Sequence, residues 1–514
     1  MLQELYSLHK KKGMKKTYII RTFFTGIIVS QIVFTLHVYI SNITLFDKIS
    51  QIAAAGYLIV PNENIISGMK GIGPAFFGGL FFTLSTGAGL TLLITALIWI
   101  WDKFFNRSFY LIIFFVLIFT LWIIQINTNG FNPVITIAYI AIPLSMAVAA
   151  KTGMPEKKRG GGFGKKKITS IIPFMLPIIL MTGLWLGCME KNMFLDIRDY
   201  LLLSNRAGEK INNFYYKYTL YPAESFKSLS QKTLKTCDLS AVENYSKNRL
   251  YRVLKNYDYL DVGCKKRVDL KIIKKDNMFG FENKNSIILK TKCNEFFHDP
   301  GKILDDFSKK TDKYSFFRKF TFFSILVGFP TALYLVIYVF FKLVLNIFLN
   351  KTLSSVLTSV LCMFLGLSLF LPVFLGQKKI PDYESLDKTG NALFSNKWQT
   401  RVSALKQIDR KKTEPIEFSR YYHKVSTLST VERYWVAKIM GSSKKTETIK
   451  YLMELASDPE VLVVCQAFNS LGQRGYKNAV DDIRKKIIES DHWYSQLYGY
   501  KTLRKLGWKQ TKSE

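Results

Sequence analysis

Five long stretches of the chain carry no charged side chain. They cover residues 71–101, 108–150, 168–188, 320–341 and 352–377. A helix needs about 20 consecutive apolar residues to cross the hydrocarbon core of a bilayer. The pattern therefore predicts a multi-pass α-helical membrane protein. It excludes a soluble enzyme, a disordered chain and a histone-like basic protein.

We predict about seven transmembrane helices from this pattern. A mostly apolar run at 18–40 supplies the first helix. Turn-forming residues at 127–133 divide the 108–150 stretch into two spans. Five helices thus make up the membrane region 18–188, and two more lie in 320–376.

Two features of the membrane region differ from those of simple transmembrane helices. Residues 50–60 are apolar but too few to cross, and Pro61 follows them, so we expect an interfacial or re-entrant segment here. Glycines also crowd the second span. They predict close helix packing, with a lipid groove as the alternative; they include Gly78, Gly79, Gly87 and Gly89.

Basic residues in the short loops predict the orientation of the helices. The tail 1–17 carries five lysines and the 151–167 loop carries seven basic residues, whereas the 127–132 turn carries none. These counts predict a cytoplasmic N-terminus in an inner (cytoplasmic) membrane.

Counting spans from that start predicts where the two large soluble parts lie. Residues 189–319 follow five spans and are expected outside the cytoplasm. Residues 377–514 follow seven spans and are expected on the same side. If 320–376 crosses only once, or if 50–70 crosses, the C-terminal part is cytoplasmic instead.

The first soluble part, 189–319, predicts a small α+β domain. Apolar residues recur at helical spacing in 247–256, and a further helix is expected at about 300–310. Residues 268–273 and 286–291 have the composition of strands around one turn. Its cysteines are either free buried thiols or, in an oxidising compartment, partners in disulfides; they are Cys188, Cys237, Cys264 and Cys293.

The second soluble part contains an internal repeat in 395–508, after a linker at 377–394. Four nine-residue segments align without gaps and end in a large apolar residue followed by Gly or Asp; they are 401–409, 433–441, 464–472 and 499–507. A helix pair of this length cannot bury its apolar face alone, but stacked pairs can. We therefore predict a C-terminal α-solenoid of HEAT-like repeats, with the glycines capping the first helices.

The layout resembles a group of uncharacterised bacterial multi-pass membrane proteins that end in HEAT repeats. The passages that carry the resemblance are 213–224, 226–229, 490–500 and 506–508. The resemblance implies the order of membrane helices, α+β domain and repeats. It implies no activity and no catalytic residues.

No catalytic motif is present in the sequence. The glycine-rich loop 160–167 lacks the first Gly and the Ser/Thr of a phosphate-binding loop, and the histidines are scattered. We therefore expect no catalytic, cofactor-binding or metal-binding residues.

Aromatic residues of the repeat domain are the candidate partner-binding residues. Repeat proteins bind partners on extended concave surfaces, where aromatic side chains dominate the binding energy. The alternative is that these rings fill the core of the domain. The candidates are Trp398, Trp435, His492, Trp493, Tyr494 and Trp508.

The charge distribution narrows the choice of partners. The formal net charge is +34, with 72 basic and 38 acidic residues. Residues 189–319 and 377–514 each carry +10, so the excess is not one nucleic-acid-binding surface. Membrane lipids and a protein partner are expected, with anionic lipid or an envelope polymer as further candidates, and no nucleic acid.

Two functions remain open from the sequence. The leading hypothesis is an integral membrane scaffold of the bacterial cell envelope that binds a protein through its repeats. The alternative is an envelope enzyme or transporter that handles a lipid or glycan. Its site would use charged residues near the membrane surface, namely Asp196, Arg198, Asp199 and Arg206.

Overall fold

The computed structural model describes residues 18–105, 107–154, 179–180, 182–183, 193–218, 220–263, 267–378 and 386–512. The chain is mostly helical. Six helices are long and apolar enough to cross a membrane, and a small mixed sheet is the β structure among the described residues. The six helices match six of the seven predicted spans. The remaining prediction, 168–188, lies largely outside the described residues.

The membrane region begins with a helix that is longer than its predicted span. Its described helices are α1 (Tyr18–Ala54), α2 (Glu63–Met69), α3 (Ile72–Lys103), α4 (Phe109–Ile126) and α5 (Pro133–Gly153). Helix α1 continues through residues 50–54, and Tyr57 and Val60 are then buried against the C-terminal helices. The expected interfacial or re-entrant segment at 50–60 is thus a protein-packed connection.

The middle of the chain forms the expected α+β unit. Its helices are α6 (Met193–Ile197, continued by a π-helical turn at Arg198–Leu202), α7 (Arg206–Tyr218), α8 (Leu220–Glu224), α9 (Asn244–Asn256), α10 (Cys293–His298) and α11 (Pro300–Lys310). Its strands are β1 (Lys235–Asp238), β2 (Tyr259–Asp261), β3 (Leu270–Lys275), β4 (Met278–Asn283) and β5 (Ser286–Lys292).

The five strands form one sheet in the order β2-β1-β3-β4-β5. Strand β1 pairs in parallel with β2 and β3, and β3, β4 and β5 form an antiparallel meander. The sequence predicted one turn where the chain makes two, at Asp276 and at Lys284–Asn285, all with positive φ. Cys237 and Cys293 are buried free thiols, and Cys188 and Cys264 lie outside the described residues.

The chain then returns to the membrane region and ends in helix pairs. The elements are α12 (Ser315–Phe348), α13 (Lys351–Lys378), α14 (Leu386–Ala392), α15 (Trp398–Lys411), α16 (Glu417–Tyr422), α17 (Thr430–Met440), α18 (Thr448–Leu455), α19 (Val461–Arg474), α20 (Val480–Glu489) and α21 (Trp493–Lys505). Helices α15, α17, α19 and α21 contain the four aligned segments and pack against one another in sequence order.

Contacts recur at the repeat spacing between these helices. Ser470 Oγ donates to the Ala437 carbonyl oxygen at 2.7 Å, and Thr502 Oγ1 donates to the Phe468 carbonyl oxygen at 2.9 Å. The small or β-branched residue shared by the four segments is buried in each; these residues are Ala404, Val436, Ala467 and Thr502.

The predicted glycine caps are only partly correct. Gly507 has a φ of +88°, but Gly441 is not left-handed, and α19 runs past Gly472 to a left-handed cap at Gly475. A Cβ added to Gly441 would lie 2.7 Å from Ser470 Oγ. Gly441 is therefore required by the close approach of the next repeat, and its backbone conformation is ordinary.

Glycines also permit close packing inside the membrane bundle. A Cβ added to Gly79 of α3 would lie 2.8 Å from the Thr35 backbone nitrogen of α1. A Cβ added to Gly89 would lie 2.1 Å from Ser324 Oγ of α12. These contacts match the predicted close helix packing, because missing side chains let the backbones approach.

The end of α1 joins the sheet to the repeats. Lys48 Nζ lies 2.5 Å from Asp269 Oδ1, next to β3. Asn62 donates from its backbone to Gln496 Oε1 at 2.9 Å, and its side-chain Nδ2 donates to the Ile488 and Ser490 carbonyl oxygens. The α+β unit and the repeats therefore form one head at one end of the helix bundle.

The opposite, basal end of the bundle is held by a different set of contacts. Tyr18 donates to Asp102 Oδ2 at 2.6 Å, and Arg107 pairs with Asp102 at 2.8 Å. Gly153 packs against the side chain of Tyr18. Helices α1, α3 and α5 thus share this end, which carries the basic residues that flank them.

Candidate functional site

A chamber of about 530 Å³ lies in the head, between helices α6 and α7 and the first helices of the repeats. The volume is within the range of small-molecule sites. Carbon atoms and aromatic rings make up most of its wall. The segments that line it, 194–216 and 434–498, are far apart in the chain.

Helices α6 and α7 supply one wall of the chamber. Helix α7 is amphipathic, and its Tyr216 turns towards the repeats while Ile211 stays exposed. Asn212 lies on the same wall and is only 2% exposed. Its Nδ2 has no hydrogen-bond partner and is covered by neighbouring atoms, so this unsatisfied donor is buried behind the surface of the chamber.

Helices α17, α19 and α21 supply the other wall. The ring of Tyr494 packs against that of Tyr216, with centres 4.7 Å apart, where the two walls meet, and lies 4.9 Å from that of Tyr498 along α21. Burial raises the pKa of Tyr216, Tyr494 and Tyr498, so all three phenols are neutral at physiological pH. Burial also raises the pKa of the Cys465 thiol, which keeps it protonated.

Arg198 is the cation in the wall, and its charge is compensated. Its Nη2 lies 2.6 Å from Asp199 Oδ1, and its guanidinium carbon lies 3.7 Å from the centre of the Tyr434 ring. Burial alone would lower the pKa of Arg198, but the neighbouring Asp199 and Tyr434 raise it overall. Arg198 therefore stays charged and paired within the protein.

A buried ion-pair network behind Arg198 fixes the repeats to α6. Lys406 Nζ lies 2.9 Å from both Asp196 Oδ1 and Asp199 Oδ2. Trp435 donates from its indole nitrogen to Asp199 Oδ2 at 2.9 Å. The network joins charged residues of α6 to helices α15 and α17, so it sets the width of the chamber.

The mouth of the chamber adjoins the membrane helices. Phe194 and Ile211 line the chamber and remain 52% and 61% exposed. The Phe194 ring lies 6.5 Å from that of Phe322 in α12, and the Tyr215 ring lies 5.7 Å from that of Phe81 in α3. The exposed rim is thus apolar and lies beside the top of the bundle.

The structure brings two of the predicted partner-binding residues to this region. Tyr494 lines the chamber, and Trp435 lies behind it in the ion-pair network. Trp398 packs against Tyr200, with ring centres 5.8 Å apart, and Trp508 packs against Tyr500. These rings contact other parts of the same chain. Their role in binding a separate protein stays a prediction.

His492 and Trp493 lie away from the chamber, where α21 begins. Trp493 is 3% exposed, near Lys48 and Val60. His492 caps α21 by accepting a hydrogen bond at Nδ1 from the Tyr494 backbone at 3.1 Å. Burial lowers the pKa of His492 to about 4, so the ring is neutral and suited to this cap.

The residues of the alternative, enzyme-type site are divided by the structure. Asp196, Arg198 and Asp199 come together as predicted, but they are occupied by one another, Lys406 and Trp435. Arg206 is exposed on α7 and does not join them. Among the described residues, no cluster of three or more His, Cys, Asp or Glu side chains is arranged to hold a metal ion.

Asn212 was missed by the sequence reasoning. Its signal was available: Asn212 and Asn213 interrupt an otherwise amphipathic helix, where Asn is disfavoured because it competes with the helix hydrogen bonds. Comparison with protein-family models, with curated proteins and with solved structures finds no match for the chain. The resemblance to HEAT-ending membrane proteins therefore stays an expectation.

Replacing Lys406 with Ala should destabilise the head strongly. The change leaves two buried carboxylates with one cation, and breaking a buried ion pair costs about 3–5 kcal/mol. Lys309→Ala is the matched control, because Lys309 is 70% exposed where it pairs with Asp305, and such pairs contribute less than about 1 kcal/mol. Thermal unfolding in detergent compares the two variants. Equal melting temperatures would contradict a structural role of the network.

Proposed function

We propose that this chain is an integral membrane protein that binds a lipid-like ligand in the chamber between helices α6 and α7 and its repeats. The observation that carries the proposal is the position of the chamber. Its walls are aromatic and apolar, and its exposed rim at Phe194 and Ile211 adjoins helices that are apolar enough to cross a membrane. An apolar molecule in the bilayer has a short path into such a site.

The occupation of the repeat face by the chain itself supports a small ligand. Trp435 and Tyr494, which were candidates for a protein partner, face α6 and α7 instead. A protein partner would have to displace the buried network of Lys406 and Asp199 to reach them. A flexible lipid chain needs only the space that is already present in the chamber.

Photocrosslinking tests this proposal. A phospholipid with a diazirine in its acyl chain should label peptides 194–216 and 462–498 of the purified protein. Leu462→Trp fills the chamber and should reduce that labelling several-fold, because Leu462 lies in its wall. Ile488→Trp, on an exposed outer position, should leave it unchanged. Labelling confined to the membrane helices would refute a chamber ligand.

The proposed topology places the whole head outside the cytoplasm. The basal end carries Lys103, Arg107 and Lys151, and basic residues favour the cytoplasmic side. Gly153 lies at that basal end, whereas Asp196 contacts Lys406 in the head. A span at 168–188, as the sequence predicts, would connect these two ends.

Reporter fusions test the topology. Reporters in the turn at residues 284–285 and after the last residue should lie on the same, external side. A reporter between α12 and α13, at residue 350, should lie in the cytoplasm, because these helices meet at the basal end. Reporters at 284 and at the C-terminus on different sides would contradict a single head.

The second candidate function is the membrane scaffold of the cell envelope. Here the helix pairs from α15 to α21 form a HEAT-like α-solenoid that recruits a protein. The supporting observation is that Ile416 and Ile488, next to or within second helices, are 87% and 56% exposed. Because α6 and α7 cover the face of the repeats that carries Trp435 and Tyr494, these outer side chains are the better contact sites for a separate protein.

Crosslinking in intact cells distinguishes the scaffold hypothesis from the hypothesis of a lipid-binding protein. A photoreactive residue at position 416 or 488 should capture one protein. Ile488→Glu should prevent capture from position 416, and Ile416→Glu should prevent capture from position 488. The same residue at Tyr245, which is exposed on α9 outside the repeats, is the control. Capture that the substitution at the other position leaves unchanged would eliminate this surface.

A further inference from the structure

Four lysines from distant parts of the chain come together where the head meets the helix bundle. They are Lys48 near the end of α1, Lys232 in the loop before β1, Lys284 in the turn between β4 and β5, and Lys313 just before α12. None of them lines the chamber, so this cluster is independent of the lipid site proposed above. Like charges held close together are unfavourable unless anions compensate them.

The first two lysines share one carboxylate. Lys48 Nζ lies 2.5 Å from Asp269 Oδ1, and Lys232 Nζ lies 3.9 Å from the same oxygen. Burial and the neighbouring Lys48 lower the pKa of Lys232 to about 8. Glu224, another carboxylate near Lys232, already pairs with Lys227 at 2.5 Å. This half of the cluster therefore has little negative charge to offer to further cations.

The other two lysines extend the cluster. Asn283 Nδ2 donates to the Asp269 carbonyl oxygen at 2.8 Å, which holds the β4–β5 turn beside the first pair. Lys284 follows in that turn, and its ammonium group approaches that of Lys313. Burial, Lys284 and Lys232 lower the pKa of Lys313 to about 8. Most Lys313 side chains are still charged at neutral pH, so the two ammonium groups repel each other.

No carboxylate of the described residues forms an ion pair with Lys284 or Lys313. The acidic residue beside Lys313, Asp312, is bound by Arg318, whose Nη1 lies 2.9 Å from Asp312 Oδ1. The acidic residue closest before Lys284 in the chain, Glu282, pairs at 3.2 Å with a lysine of β3. An anion from outside the protein, placed between the two ammonium groups, would remove their repulsion.

The position of Lys313 places this pair at the level of the membrane surface. Asn129, in the turn between α4 and α5, donates from Nδ2 to the Asp312 carbonyl oxygen at 3.2 Å. That turn joins two helices that are apolar enough to span a membrane, so it marks the end of the hydrocarbon region. Lipid phosphates lie just outside this level. Because Lys284 is exposed, a phosphate reaches the pair without entering the protein.

We propose that Lys284 and Lys313 bind a phosphate group between their ammonium ions, with Lys232 supplying a third positive charge behind them. Lysine binds phosphate as a compact point charge, and its N–H groups donate to the phosphate oxygens. The ligand class is a phosphate with net negative charge, carried by an anionic lipid headgroup or free in solution. A choline headgroup fits less well, because its own cation adds a positive charge to the cluster.

Binding of two fluorescent lipids to the purified full-length protein tests the proposal. Phosphatidic acid and phosphatidylcholine with the same acyl chains differ only in the headgroup, so binding of the chains in the chamber contributes equally to both. The wild type should prefer phosphatidic acid. Lys284→Gln and Lys313→Gln should each weaken its binding about ten-fold, as the loss of one charged hydrogen bond predicts. Neither change should affect phosphatidylcholine.

Lys275→Gln is the matched control. Lys275 is an exposed lysine of the same hairpin at the other end of β4, a strand of six residues. It therefore lies roughly 20 Å from Lys284, which is beyond the screening length of about 8 Å at physiological salt. This variant should bind phosphatidic acid as the wild type does. A loss as large as that in Lys284→Gln would overturn the site and indicate attraction by the general surface charge.

A titration with inorganic phosphate distinguishes the two sources of the ligand. Binding that depends on Lys284 and Lys313 for phosphatidic acid alone assigns the site to a lipid headgroup, and such binding of inorganic phosphate assigns it to soluble phosphate. If both variants bind both probes as the wild type does, the proposal is wrong, while the lipid chamber is unaffected. If Lys313→Gln does not fold, Lys284→Gln decides the question, because the exposed Lys284 side chain is not part of the core.

Discussion

Helix α1 is longer than a bilayer is thick, and the arrangement of the rest of the chain depends on that continuity. At about 1.5 Å per residue, its 37 residues extend roughly 55 Å, against about 30 Å of hydrocarbon. Its last turns therefore stand clear of the bundle. There Ile49 and Ile52 are buried with the repeat helices, and Lys48 pairs with Asp269. Because a helix keeps its direction, the head is held in one orientation above the membrane helices.

That fixed orientation explains why the head has one continuous core across units that are far apart in the chain. Asn62 forms hydrogen bonds with three backbone groups and with the side chain of Gln496. Its position, and so its contacts with the repeats, depend on where α1 ends. The buried network of Lys406, Asp196 and Asp199 adds a second constraint. Buried charges are costly unless every partner is in place. We infer that few other dockings of the repeats would satisfy both sets of contacts.

The chamber follows from these two constraints. Helices α6 and α7 are held against the repeats by the ion pairs at one end, and the Tyr216 and Tyr494 rings contact each other at the other. The space between is mostly apolar because the charged groups nearby, Arg198 and Asp199, are paired within the protein. It adjoins the bundle because α6 and α7 lie directly above α3 and α12.

Patterns carried by neighbouring residues were predicted well from the sequence. The charge-free stretches matched six membrane helices, and the apolar spacing of 247–256 and the helix expected near 300–310 matched α9 and α11. Strands β3 and β5 were also expected. Strands β1 and β2 have only four and three residues, too few to show a period, and they exist because they pair with distant β3 or with each other.

The sequence by itself determined the membrane helices and most of the longer elements, because helix and strand periodicity and membrane crossing are local consequences of side-chain polarity. It also identified the buried residues of the repeats, since Ala404, Val436, Ala467 and Thr502 share one place in the period. Only the tertiary structure decided what the aromatic and charged residues contact. Whether Trp435 faces solvent or Asp199, and whether Asn212 lines a surface or a chamber, depends on docking between segments hundreds of residues apart. Local patterns carry no information on that docking, because its energy comes from pairs of groups that meet only after folding.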